Sequence, residues 1–251
     1  MNMPMSLGTV QCVGGDRRQL QPTDALYKLI AFLKANAAYI YLLSKASEIA
    51  SDRDDTRRNA LWMNEIDLEK NRRGVRIDES ARTLRKFDSA ITTYWRQYAS
   101  RIGAVLEEIV FIIYSAREDL TFDEPDILVD GASMGTSRID VVIVSHASAG
   151  LWDKHTISWM LVEYKHNAYS YFRNRSQNSR RKLNYMCGIR QHVPSPGTNI
   201  NVASLKDTRD LDAILSSSRG ADAIHTIDPS TIFAKWMQKF PQSPSQPRRR
   251  R

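Results

Sequence analysis

Ile157-Ser158-Trp159-Met160-Leu161-Val162-Glu163-Tyr164-Lys165 is an apolar run that closes on an acid, one residue and a lysine. Its length and its β-branched and aromatic content read as a strand. Of the 28 Asp and Glu in the chain, only Glu163 is followed two residues later by a lysine. Side chains alternate faces along a strand, so Ile157, Trp159, Leu161, Glu163 and Lys165 share one face. Glu163 and Lys165 then project side by side, roughly 7 Å apart.

Upstream, Arg138-Ile139-Asp140-Val141-Val142-Ile143-Val144 reads as a second strand that carries an acid. An antiparallel hairpin with Asp140 opposite Glu163 puts the turn centre between Leu151 and Trp152, inside the irregular stretch 147–153. Two carboxylates and a backbone carbonyl, that of Tyr164, suit Mg²⁺, a hard cation that prefers oxygen and keeps several waters. Such an ion lowers the pKa of a bound water and stabilises charge on a scissile phosphate. A neighbouring lysine can orient that water, help deprotonate it, or neutralise charge as the phosphorus is attacked.

Asp140 on one strand and Glu163-x-Lys165 on the next resemble the PD-(D/E)XK nuclease superfamily, and within it the type II restriction endonucleases. The resemblance covers residues 100–166 and, loosely, 220–240. It implies an α/β fold with a restriction-endonuclease-like core: a glutamate-bearing helix, a mixed sheet with an antiparallel meander, and flanking helices. The implied catalytic residues are Asp140, Glu163, Lys165 and a helix glutamate, Glu107 or Glu108. The spacing Gly103-x-x-x-Glu107 favours Glu107. Asp140, Glu163 and the carbonyl of Tyr164 are the implied Mg²⁺ ligands. Arg138-Ile139-Asp140 lacks the proline of the literal motif, which occurs instead at Pro125-Asp126. Asp126 is expected one strand further across the sheet and ranks behind Asp140.

The net charge is +8, unevenly spread. Residues 1–163 hold 20 Lys/Arg against 23 Asp/Glu, whereas residues 164–251 hold 16 against 5. From Tyr164 through Lys206 stand eight Lys/Arg and no acid. A one-sided positive field of this kind attracts a polyanion, with nucleic acid the leading candidate. Arg173, Arg175, Asn178, Arg180, Arg181, Lys182 and Arg190 are the candidate DNA contacts: Arg and Lys for phosphates, Arg and Asn also for base edges.

Residues 1–22 read as a flexible arm. Thr23 or Asp24 caps a helix that opens a helical region, 23–98, for dimerisation or DNA contact. A helix near 92–117 carries Ile102, Val105, Leu106, Ile109, Ile112 and Ile113 as its buried stripe. The nuclease core spans 99–240, with a basic recognition segment at 164–206 that reads as irregular from 166 apart from one helix over 176–189, and a short helix at 209–217. Residues 241–251 read as a disordered basic tail. No 18-residue apolar stretch predicts a membrane span, and no leader pattern stands at the N-terminus. Cys12 and Cys187 fit neither a metal spacing nor a disulfide framework, which points to a cytoplasmic setting. Taken together, these features predict a Mg²⁺-dependent, sequence-specific endonuclease on double-stranded DNA. It would act as a homodimer and share its system with a cognate DNA methyltransferase. The rival expectations are a structure-specific repair or junction nuclease and a non-catalytic nucleic-acid-binding protein.

Overall fold

A computed structural model describes residues 5–7, 10–15, 20–98, 102–115, 120–135, 137–146, 157–165, 167–174, 176–192, 198–204, 224–227, 231, 233–235 and 237. In chain order these form β1 (Met5–Leu7), β2 (Val10–Val13), α1 (Ala25–Ala35), a 3₁₀ segment (Ala37–Lys45), α2 (Ala46–Ile49), α3 (Asp55–Arg73), α4 (Ala81–Tyr98) and α5 (Ile102–Ser115). There follow β3 (Leu120–Asp123), β4 (Asp126–Val129), β5 (Ala132–Ser133), β6 (Val141–His146), β7 (Ile157–Lys165), α6 (Ala168–Arg173), α7 (Gln177–His192), β8 (Thr198–Ser204) and β9 (Ile224–Ile227). The chain divides into two compact units, Met1–Gln19 with Gly103–Pro229, and Leu20–Ile102 with Ser230–Arg251.

The second unit is helical. Its helices begin where side chains can satisfy the free N–H groups of a first turn. Asp24 accepts from Leu26 N ahead of α1, and Asp54 Oδ1 accepts from Thr56 N and Arg57 N ahead of α3. Gly74 ends α3 at φ +65°, a left-handed conformation that glycine adopts without strain. Leu29, Leu33, Tyr39, Ile40, Trp62, Ile66, Phe87 and Ile91 fill the core. The Phe87 ring stands 4.9 Å from Tyr39 and 5.0 Å from Trp62. Asp88 is buried among them and fully engaged: Arg58 donates to it at 2.9 and 2.8 Å, and Trp62 Nε1 at 2.9 Å.

The first unit holds two sheets. One runs β3-β6-β7-β8-β9, antiparallel from β3 to β7 and parallel from β7 to β9. The other is antiparallel, in the order β1-β2-β4-β5. Its β4–β5 loop is the pair Asp130-Gly131, both at positive φ, the turn whose twist suits a two-residue hairpin. A parallel pair needs a long crossover, and α6 and α7 supply it between β7 and β8. The expected α/β class is therefore present: a helix, an antiparallel meander continued in parallel, and flanking helices. Leu161, Val142 and Val202 form a cluster with Phe172 of α6 and with Leu183, Met186 and Ile189 of α7. Cys12 and Cys187 are free and buried in the same cluster, and burial pushes the Cys12 thiol up to about 12.

Several expectations differ from this architecture. Residues 5–7 and 10–13, read as part of an arm, are strands, because Cys12 has a core to enter once β4 is its neighbour. Asp126 lies in the second sheet, opposite Val13, rather than beside the Asp140 strand; that neighbour is β3. The helix expected over 92–117 falls on two described elements, α4 and α5, whose apolar stripes serve different units: Tyr94 lies in the helical one, Val105 and Ile109 in the other. The helix expected over 176–189 is α7, while the rest of 166–206, read as irregular, contains a second helix, α6, and the strand β8. The expected helix at 209–217, the hairpin turn at 147–156 and the tail at 241–251 lie outside the described residues.

Candidate active site

β6 and β7 pair with Val141 opposite Val162 and Val142 opposite Leu161. The same register carried one step back sets Asp140, at the entrance to β6, opposite Glu163. Asp140 is tied there from two sides: its Oδ2 accepts the N–H of Tyr164 at 2.6 Å, and its backbone carbonyl accepts that of Glu124 at 3.0 Å. Asp140 and Glu163 thus flank one backbone segment, and the amide between Glu163 and Tyr164 is part of the geometry that joins them.

Lys165 closes the arrangement. Its Nζ donates to Glu163 Oε1 at 2.6 Å and to the Tyr164 carbonyl at 2.7 Å, and lies 3.8 Å from Asp140 Oδ2. The Tyr171 ring centroid is 5.1 Å from the same nitrogen. The ammonium therefore rests on the three oxygen sources that the sequence reading assigns to a metal.

Sequence reasoning missed the position of Lys182, which it grouped with surface DNA contacts. Helix α7 packs over the face of the sheet that carries Leu161 and therefore Glu163. Lys182 precedes the buried Leu183, so its stem lies along that seam. Its Nζ ends 3.0 Å from Glu163 Oε2 and donates to the carbonyl of Arg138, two residues before Asp140. The signal available in the sequence was a lysine next to the buried stripe of the helix that follows Glu-x-Lys.

Glu163 has no exposed surface, so its charge depends on these partners. Burial, with the charge of Asp140 beside it, pushes its pKa above the usual carboxylate range, against the pull of Lys165 and Lys182. Burial also opposes the charge on Lys165, but the carboxylates of Glu163 and Asp140 outweigh it and raise its pKa. Glu163 Oε2, though ion-paired, lacks a well-aligned hydrogen bond.

The described residues contain no group of three His, Cys, Asp or Glu side chains set to hold a metal ion. Two carboxylates and the Tyr164 carbonyl nevertheless fit a hard cation that keeps waters in its remaining positions. The ammonium of Lys165 already shows that these oxygens converge on a positive charge, and a dication there requires Lys165 to swing aside.

Glu107 and Glu108 stand half-buried on α5, and Glu107 turns Oε1 back to within 3.8 Å of where a Cβ on Gly103 would lie. Asp126 ion-pairs with Arg138 at 3.2 Å, outside the cluster of Asp140, Glu163, Lys165 and Lys182. Among the candidate DNA contacts, Asn178, Arg180 and Arg181 are exposed on α7, and Arg173, exposed at the end of α6, lies 5.5 Å from the Tyr169 ring. Arg190 is on α7 and Arg175 lies outside the described residues.

No family model matches the chain and no curated protein matches it. Two solved structures are similar in fold at low level. Can2 from Sulfobacillus thermosulfidooxidans, in complex with cyclic tetra-adenylate, shares 10% identity over 94% of this chain and 57% of its own, at a TM-score of 0.39. Protein VC1899 from Vibrio cholerae shares 10% identity over 92% of this chain and 59% of its own, also at 0.39. The chain thus spans less than two thirds of either protein, and both likenesses are too slight to transfer a function. No described helix is long and apolar enough to cross a membrane.

Proposed function

We propose that this chain is a Mg²⁺-dependent endonuclease that hydrolyses phosphodiester bonds in double-stranded DNA at specific sequences, in the manner of a type II restriction enzyme. The observation that carries the reading is the register that sets Asp140 opposite Glu163, with Lys165 bonded to both Glu163 and the Tyr164 carbonyl. Asp140, Glu163 and the Tyr164 carbonyl would hold the metal, which when bound would acidify a water and stabilise charge on the phosphate. Lys165, displaced from the oxygens, holds its ammonium toward the attacking water or the phosphate. Lys182 keeps Glu163 Oε2 engaged and so holds the carboxylate in place. Glu107 is the proposed further carboxylate, and the exposed cations and asparagines of α6 and α7 are the proposed DNA contacts. Two copies related by a two-fold would cut both strands, and a cognate methyltransferase would protect the host's own sites.

One observation favours the rival reading of a non-catalytic nucleic-acid-binding protein: Glu163 is already neutralised by two lysines. Incubation of the protein with long unmethylated duplex DNA, in Mg²⁺ and in EDTA, separates the two. Discrete fragments that require Mg²⁺ support the restriction enzyme. Cleavage confined to junctions or flaps supports a structure-specific nuclease of the same chemistry. Retarded but intact DNA under every condition overturns the catalytic reading.

A further inference from the structure

We infer that the groove between α1 and α4 binds the phosphodiester backbone of duplex DNA, at a surface distinct from the carboxylate–lysine cluster. The two helices pack against each other, with Leu29, Ile30 and Leu33 of α1 and Leu84, Phe87 and Ile91 of α4 buried. Above this seam lies a concavity of about 400 Å³. Ala25 is buried at its base, Lys28, Arg85 and Lys86 are exposed along it, and Ser89 and Thr93 add hydroxyls.

The charge pattern is what points to a polyanion. Residues 25–47 contain no Asp or Glu. Helix α4 contains one acid, Asp88, and it faces inward, held by Arg58 and Trp62. The cations of α4, namely Arg82, Arg85, Lys86 and Arg96, are all exposed. Away from the groove, several cations of this unit are answered by acids: Arg57 by Asp52, Lys70 by Glu79, Arg72 and Arg73 by Glu69. Among the described residues, Lys28, Arg85 and Lys86 have no acidic partner. Three unanswered cations and two hydroxyls in a concave strip between helices match the demands of successive phosphates, which accept hydrogen bonds and carry charge but no sequence information. The balance of 20 bases and 23 acids over residues 1–163 hides this face, because the helical fold separates charges that the chain intermixes.

The claim concerns binding and stands whether or not the chain cleaves DNA, so it is tested on the Lys165→Ala protein in EDTA. Fluorescence anisotropy with a short labelled duplex, over a salt series, compares three proteins. These are the parent, the triple variant Lys28→Ala/Arg85→Ala/Lys86→Ala, and a charge-matched control, Arg53→Ala/Arg57→Ala/Arg76→Ala. The groove variant should bind about tenfold or more weakly at low salt. Its slope of log K against log salt should be shallower by roughly 2–3, at about 0.9 per lost phosphate contact. The control should keep the parent slope. Equal loss in both triples, or no loss in the groove triple, overturns the inference. So does a groove that takes inorganic phosphate while duplex affinity is unchanged by the variant. Should the triple variant melt early, Lys86→Glu alone, at an exposed helical position, should lower affinity in the same direction.

Discussion

Lys182 and Glu163 meet 3.0 Å apart although one is on a helix and the other on a strand, so the helix contributes a second cation to the carboxylate. Glu163 is therefore bracketed, with Lys165 on Oε1 and Lys182 on Oε2. The bracket restrains the carboxylate's rotation.

Replacing Lys182 with Met keeps the apolar stem over the seam and removes only the charge. The folded state should lose about 1–3 kcal/mol, since a buried carboxylate then relies on Lys165 alone. Urea unfolding measures the loss, and adding Glu163→Gln should recover part of it through a coupling of about 0.5–3 kcal/mol. Purely additive effects of the two substitutions would deny the bracket.

Lys165→Ala should lower metal-dependent cleavage by about 10²–10³-fold or more while leaving duplex affinity in EDTA within a few-fold, because the lysine acts at the point where charge develops. Nicking of supercoiled DNA reads the first quantity and anisotropy the second. Undiminished cleavage would remove Lys165 from the chemistry.

Asp140 has a structural and a chemical task, and two substitutions separate them. Asn at this position still offers an oxygen to the Tyr164 N–H, so Asp140→Asn should stay within roughly 1 kcal/mol of the parent yet lose cleavage and divalent-ion binding. Asp140→Ala loses the hydrogen bond too and should cost about 1–3 kcal/mol. Calorimetric titration with Mn²⁺ and thermal melting report the two tasks; an active Asp140→Asn protein would contradict the assignment.

The raised pKa of Glu163 sets a pH dependence with a definite sign. Burial and the charge of Asp140 favour the protonated acid more in the folded protein than in the unfolded chain. That contribution to stability is present below the ordinary carboxylate value and lost as pH rises through the raised one. A cation needs the ionised form, so Mn²⁺ affinity should fall as pH drops through the same raised value. A pH-independent affinity across the acid range would mean that Glu163 is not a ligand.

In the helical unit, Arg58, Asp88 and Trp62 form a buried polar cluster that no apolar substitution at one member can satisfy. Asp88→Ala strands a buried guanidinium edge and an indole N–H, and should cost about 3–5 kcal/mol. Urea unfolding followed by Trp fluorescence checks it, and a loss under about 1 kcal/mol would show that solvent reaches Arg58 readily.

The hairpin was legible because strand periodicity is strict: with Asp140 and Glu163 on one face, only one register pairs them, and the observed Val141–Val162 pairing belongs to it. The helix cap at Asp24 was equally local. What escaped were the long-range partners. β8 alternates Asn199 and Asn201 with Ile200 and Val202, and its neighbour β7 lies beyond two helices, so nothing nearby marks it as a central strand. Lys182 was read as a DNA contact because it stands with Arg180 and Arg181 in a basic run without acids; only the packing of α7 turns it inward.

The pairing of β2 with β4 has a temporal side. Val10 finds Val129 only after more than a hundred intervening residues have been made. As the polypeptide leaves the ribosome, its first hairpin must wait without a neighbour while α1 to α4 emerge and can begin to fold. An edge left open that long is a template for the wrong strand. The order of synthesis thus gives the helical segment a head start and makes closure of the small sheet a late, non-local and correspondingly slow event.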